Sequence, residues 1–153
     1  MRGVHRERKT SLTIAALNAR SLGSQGRLEE VSALLTDFKL DVLAINETWQ
    51  REGETYEIQG YKYIGNPRKS KEKLRGGGVG FFIAENLRFK VREPDTPPPS
   101  NCEMLAISLF LRGQRSIHVV STYLPPHESL PKNNANLTPR FLHVATLCHS
   151  VYF

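Results

Sequence analysis

Residues 12–18 read LTIAALN, residues 27–39 read RLEEVSALLTDFK, and residues 41–49 read DVLAINETW. The first is a short apolar run, expected as a buried strand. In the second, Leu28, Val31, Leu34, Leu35 and Phe38 recur every three or four positions. That spacing puts them on one stripe of an amphipathic helix over Arg27–Lys39. In the third, Val42–Ile45 is continuously apolar, the pattern of a parallel strand covered on both faces. Strand, helix and strand within about 35 residues make a βαβ unit, whose crossover is expected to be right-handed. The connection Ala19–Gly26 is rich in glycine and serine and reads as a loop.

Outward from this unit the pattern changes. Tyr61–Gly65, Val79–Ala84 and Leu87–Val91 read as strands. Met104–Leu111 and Ser116–Tyr123 read as two more, joined by Arg112-Gly113-Gln114, a hairpin signal. Between them PDTPPPS (94–100) cannot pair in a sheet, because its prolines lack N–H donors and fix φ. A βαβ start followed by meander-like strands indicates a layered α/β or α+β domain. Residues 1–10 are polar and basic, expected as a frayed arm. From Pro125 onward prolines 125, 126, 131 and 139 interrupt the chain, and a short helix is expected near Phe141–Leu147.

The chain has 153 residues, room for one domain. Leu, Ile, Val and Phe make up 41 of them, above the roughly 20% below which chains tend to be disordered. The longest apolar runs, such as Phe81–Ala84 and Leu109–Leu111, fall far short of the ~18–20 residues of a membrane span. No apolar segment follows the basic N-terminus, so a secretory signal is not expected. The two cysteines, Cys102 and Cys148, read as free thiols in a reducing compartment. The histidines make no zinc pattern. An intracellular setting, nucleus or cytoplasm, is expected, which makes the glycosylation-like Asn46-Glu47-Thr48 and Asn136-Leu137-Thr138 chance matches.

The net charge of +6 is unevenly placed. Arg27–Glu57 holds 3 basic and 8 acidic residues, whereas Lys62–Arg75 holds 6 basic and 1 acidic. The run Arg68-Lys69-Ser70-Lys71-Glu72-Lys73-Leu74-Arg75 suits a polyanion, since lysine and arginine release condensed counterions from phosphates. It equally suits a solvated loop.

In open α/β sheets ligands bind beyond the carboxyl ends of the strands. The first strand ends in Asn18 and the second in Asn46-Glu47-Thr48-Trp49. Parallel neighbours would set Asn18 and Glu47 on one rim. A carboxylate beside a carboxamide is a plausible first shell for Mg²⁺, which takes oxygen ligands. The plainer alternative is that Asn18 starts a turn and Glu47 caps a loop. Arg75-Gly76-Gly77-Gly78-Val79-Gly80 is neither a Walker loop nor a dinucleotide fingerprint. A glycine run entering a strand more often permits a bulge or a close backbone approach. Tyr123, before Leu124-Pro125-Pro126, ends a strand that could border the same rim or pack on the prolines.

Together, Leu17-Asn18-Ala19-Arg20-Ser21, Ala44-Ile45-Asn46-Glu47-Thr48-Trp49, Gly60-Tyr61, Arg75-Gly76-Gly77-Gly78-Val79 and Tyr123-Leu124-Pro125-Pro126 occur in an order that resembles the endonuclease/exonuclease/phosphatase superfamily. They look most like the apurinic-type endonuclease domains of non-LTR retrotransposons, over about residues 11–126. The resemblance implies a four-layer αββα sandwich, of which this chain would carry the first half, with residues 127–153 a divergent tail. It implies metal-assisted phosphodiester hydrolysis of nucleic acid, DNA above all, with Glu47 as the Mg²⁺-binding carboxylate. Asn18 would orient the scissile phosphate or the metal, and Tyr123 would contact the phosphate. Arg68, Lys69, Lys71, Lys73 and Arg75 would lie along the nucleic-acid strand. Phosphatases of the superfamily, acting on inositol or lipid phosphates, are a further enzyme alternative.

The family's second half supplies an Asp-x-Asn pair, another acid and a terminal Ser-Asp-His. The last aspartate here is Asp95, and Glu128 is the one acid after Tyr123. The chain is therefore expected to be an inactive fragment, a non-catalytic nucleic-acid binder, or a relic without function. Half a sandwich would leave an apolar sheet face uncovered, so self-association through that face is also expected. No membrane partner is expected.

Overall fold

The computed structural model describes residues 11–67, 76–93, 98, 102–111 and 116–124, and the backbone of 145–148. The βαβ unit forms as its pattern predicts. Strand β1 (Ile14–Asn18), helix α1 (Arg27–Asp37) and strand β2 (Val42–Asn46) follow in order. β1 and β2 are parallel, from Ile14 opposite Val42 to Asn18 opposite Asn46. All five residues of β2 are buried, because both its faces are covered and both its edges are paired. On the far side of β2 lies β4 (Val79–Ala84), antiparallel, and β4 pairs in turn with β3 (Tyr61–Asn66). The first sheet thus runs β1-β2-β4-β3.

The second sheet is wholly antiparallel. It contains β5 (Arg88–Arg92), β6 (Glu103–Phe110), β7 (Ser116–Tyr123) and β8 (Ala145–Cys148), in that order. Ala145–Cys148 corrects the helix expected near Phe141–Leu147. It is a strand, paired with β7 from Ser121 opposite Ala145 to His118 opposite Cys148. A run this short has little helical stability of its own, and the open edge of β7 offers its backbone a ladder instead.

Period-two alternation then decides which side chains meet. Val42, Ala44, Phe81 and Ile83 face the second sheet and pack with Ile107, Leu109 and Val119. Leu43, Ile45 and Phe82 face the other way and pack with Val31 and Leu35 of α1. Each fully buried side chain of this kind contributes about 1.5–3 kcal/mol, so the two cores hold helix, sheet and sheet as three layers. The chain is a mixed α/β structure consistent with a partial αββα sandwich. Helix α1 opens after Gly26, which has a φ of 77°, and carries Glu29 and Glu30 in its first turn, where carboxylates suit the helix dipole. It ends at Asp37, one residue before the last member of its apolar stripe, so Phe38 forms the C-cap and is exposed.

Among the described residues no helix is long and apolar enough to cross a membrane. The basic run with Arg68, Lys69, Lys71, Lys73 and Arg75 lies outside the described residues.

Candidate active site at the strand ends

Because β1 and β2 are parallel, their carboxyl ends share a rim, and the backbone laces them together there. Ala19, Ser21 and Leu22 donate their N–H groups to the carbonyls of Asn46, Glu47 and Thr48, at 2.9, 2.9 and 3.0 Å. The chain can make these bonds only by turning sharply after Asn18. Its side-chain oxygen accepts from the Arg20 N–H at 3.1 Å, the Asx turn that asparagine favours. Arg20 and Ser21 follow with positive φ of 46° and 82°. The turn reading of Asn18 is therefore correct, and the turn is also what places Asn18 beside the end of β2.

The end of β2 is held in an uncommon conformation. Glu47 and Trp49 have φ of 52° and 53°, a left-handed region that bulky residues seldom occupy without support. The support comes from the glycine run. Gly76, Gly77 and Gly78 have φ of 86°, 72° and 86°. Their carbonyls meet the 48–49 segment: Thr48 N–H donates to Gly78 O at 3.2 Å, and Trp49 N–H to Gly77 O at 2.9 Å. A Cβ at Gly78 would overlap Thr48 Oγ1 and lie 3.5 Å from the Trp49 nitrogen. The glycines thus serve a close backbone approach.

The second sheet closes the rim from the other side. Glu47 is 8% exposed, and its Oε1 accepts from the Tyr123 hydroxyl at 3.0 Å. Two residues earlier on the same face of β7, Ser121 Oγ donates to Asn46 Oδ1 at 2.9 Å. Glu103, opposite Tyr123 in the β6–β7 register, accepts from the Gly78 N–H. Asn18, Glu47 and Tyr123 thus gather on one rim, 76 positions of sequence separating the last two. Sequence reasoning missed Ser121 and Glu103. Ser121 was within reach, being two residues from Tyr123 and so on its face. Nothing in the sequence pointed to Glu103, whose role depends on how the two sheets stack.

A second polar cluster is separate. Ser108 Oγ is 2.7 Å from His118 Nδ1 and accepts from Arg92 Nε at 2.7 Å. These residues alternate with the core-facing Ile107, Leu109 and Val119, so they lie on the outer face of the second sheet. His118 stands five residues along β7 from Tyr123, roughly 16 Å by strand rise, too far to serve as a base for Glu47's rim. Cys102 is a free thiol, and burial pushes its pKa up.

The Endonuclease/Exonuclease/phosphatase family profile matches residues 13–146. The chain belongs to this family. The match takes in Asn18, Glu47, the glycine run and Tyr123, and ends within β8. No curated protein matches the chain. Family membership supports phosphodiesterase or nuclease-type hydrolysis; family domains generally depend on a metal, typically Mg²⁺, and family nucleases generally act on nucleic acid. Among the described residues no group of three or more His, Cys, Asp or Glu side chains could hold a metal. What the rim offers is one buried carboxylate with an asparagine carboxamide nearby. That donor set fits Mg²⁺, which keeps several waters and binds through one or two carboxylates together with substrate phosphate oxygens.

Proposed function

We propose that this rim is the first part of a Mg²⁺-dependent phosphodiesterase site, of the apurinic-type endonuclease kind found in non-LTR retrotransposons. The observation that carries the reading is the buried hydrogen bond from Tyr123 to Glu47. It spends a scarce buried carboxylate, held on a strained backbone, at the mouth between two sheets, where a purely structural role would be served by an apolar pair. Glu47 holds the metal, which when bound neutralises charge on the phosphate. Asn18 orients the phosphate, and Tyr123 fixes the carboxylate and contacts the phosphate. Arg68, Lys69, Lys71, Lys73 and Arg75 follow the DNA backbone, in an intracellular setting.

These 153 residues do not complete the chemistry. No aspartate follows Asp95, and no histidine has an aspartate beside it in the sequence to orient it as a base. Loss of a general base alone costs roughly 10²–10⁴-fold. The reading therefore combines a metal-binding rim with hydrolysis far below that of a whole domain. Self-association through the outer face of the second sheet belongs to the same reading, since Phe110, next to the core-facing Leu109, is exposed there; a sharp monomer in sedimentation would remove that part.

Two measurements test the proposal. Mg²⁺ should raise the melting temperature of the chain and fail to do so for Glu47→Ala, because a ligand that binds only the native state stabilises it. Equal shifts in both proteins would exclude Glu47 as the metal ligand. Supercoiled plasmid with Mg²⁺ should be nicked no faster by the chain than by Glu47→Ala or by the chain in EDTA. Nicking abolished in both controls would keep the site and overturn the inactivity.

A further inference from the structure

Trp49 is the single tryptophan of the chain, and the rim leaves it 38% exposed. It stands two residues past Glu47, and its backbone is held on both sides. Its own φ is 53°, its N–H is fixed to Gly77 O at 2.9 Å, and the preceding Thr48 is fully buried. A large aromatic residue normally escapes such a backbone or buries itself. Here the glycine run, Thr48 and the Asn46–Ser121 bond combine to keep it at the surface. Leu124, directly after Tyr123, is 45% exposed. Arg20, at the end of β1, is exposed as well. The segments that follow β1, β2 and β7 thus carry an exposed cation, an exposed indole and an exposed apolar side chain, and the buried Glu47 lies two residues before the indole. A ligand that uses a metal at Glu47 and the exposed indole together carries a phosphate and a planar ring. Inositol and lipid phosphates have no such ring; a nucleotide chain does.

We propose that Trp49 stacks on a nucleobase flanking the phosphate held at Glu47, and so restricts the rim to nucleotide chains with an accessible base. This rests on the Glu47 phosphodiesterase reading and assigns it a residue that contacts the base. An aromatic platform reads any base face, so it discriminates nucleic acid from other phosphates while giving little sequence preference.

The single tryptophan makes the test direct. The full chain is titrated in Mg²⁺ with a short mixed-sequence DNA oligonucleotide, and in parallel with an abasic oligomer of equal length and charge. The oligonucleotide should quench indole fluorescence saturably, and the abasic oligomer should not. By anisotropy of a labelled oligonucleotide, Trp49→Ala should weaken binding roughly 5- to 150-fold, the range of one base–aromatic stack, while Trp49→Phe should largely keep it. Equal quenching by both oligomers, wild-type affinity in Trp49→Ala, or no binding of either oligomer would each overturn the proposal. If Trp49→Ala fails to fold, the fluorescence comparison and Trp49→Phe decide alone. Base-dependent quenching with no Glu47-dependent response to Mg²⁺ would overturn the metal reading and keep the stack. The reverse pattern would keep the metal site and overturn the stack.

Discussion

Replacing Gly78 by alanine should be among the most damaging single-methyl additions the chain can receive, and the structure lets its two costs be separated. Gly78 has a φ of 86°, a left-handed conformation that costs an L-residue about 1–2 kcal/mol. The added Cβ would also overlap Thr48 Oγ1. Thr48 is fully buried and its N–H is tied to Gly78 O at 3.2 Å, so it cannot swing aside. Forcing an extra methyl into such a site costs about 1–3 kcal/mol. The sum is about 2–5 kcal/mol. Gly53→Ala supplies the control, because Gly53 has a φ of 82° with nothing near its missing Cβ; it should lose only the first cost, reduced by the stiffer unfolded chain. Urea unfolding of the two variants, at a slope of about 1–3 kcal/mol per molar, should put the midpoint of Gly78→Ala well below that of Gly53→Ala. Adding Thr48→Ala to Gly78→Ala should recover part of the gap, because the overlapping atom is gone. Equal losses in the two single variants would refute the idea that the glycine run exists for close approach to residues 48–49, and with it the account of how Glu47 is held.

Further outcomes follow from other contacts. Tyr123→Phe leaves the buried Glu47 carboxylate without its hydroxyl donor and should cost about 1–3 kcal/mol in urea unfolding; an unchanged midpoint would show the bond to be idle. Burial pushes the Tyr63 phenol well above its usual 10.0, with Tyr56 adding to it and a hydrogen bond with Thr48 opposing it. The folded chain therefore keeps a proton that the unfolded chain releases. Stability should be flat with respect to this group below pH ~10 and fall above it, by at most about 1.4 kcal/mol per pH unit, and Tyr63→Phe should flatten that alkaline loss. Replacing Lys69, Lys71, Lys73 and Arg75 together by serine should weaken DNA binding and reduce its salt dependence by up to about four charges in the log–log slope; an unaltered slope would place the DNA elsewhere.

The comparison of sequence with structure turns on range. The βαβ unit was legible because its signals are local: a helical stripe at 27–38, and a four-residue apolar run that only a doubly covered strand tolerates. Asn18 and Glu47 could be set on one rim from that unit alone, since parallel pairing requires it. The strand at 145–148 was not legible, because a short run in a proline-broken segment takes its conformation from the edge of β7. The helix end fell just short of the expected Lys39: Phe38 continues the stripe, but the helix ends at Asp37 and leaves Phe38 as an exposed C-cap.

The sequence by itself determined which residues lie inside, because apolar periodicity and burial are two sides of one free-energy balance. It also placed the polar residues at strand ends, where chemistry in such sheets is found. Only the tertiary structure decided what those residues touch. That Tyr123 donates to Glu47 and that Glu103 holds Gly78 follow from the stacking of two sheets whose strands lie far apart in the chain, and the backbone of Trp49 is held by the glycine run that enters β4. A hydrogen bond is set by a fraction of an ångström between its partners, and residue types along one chain do not carry that distance.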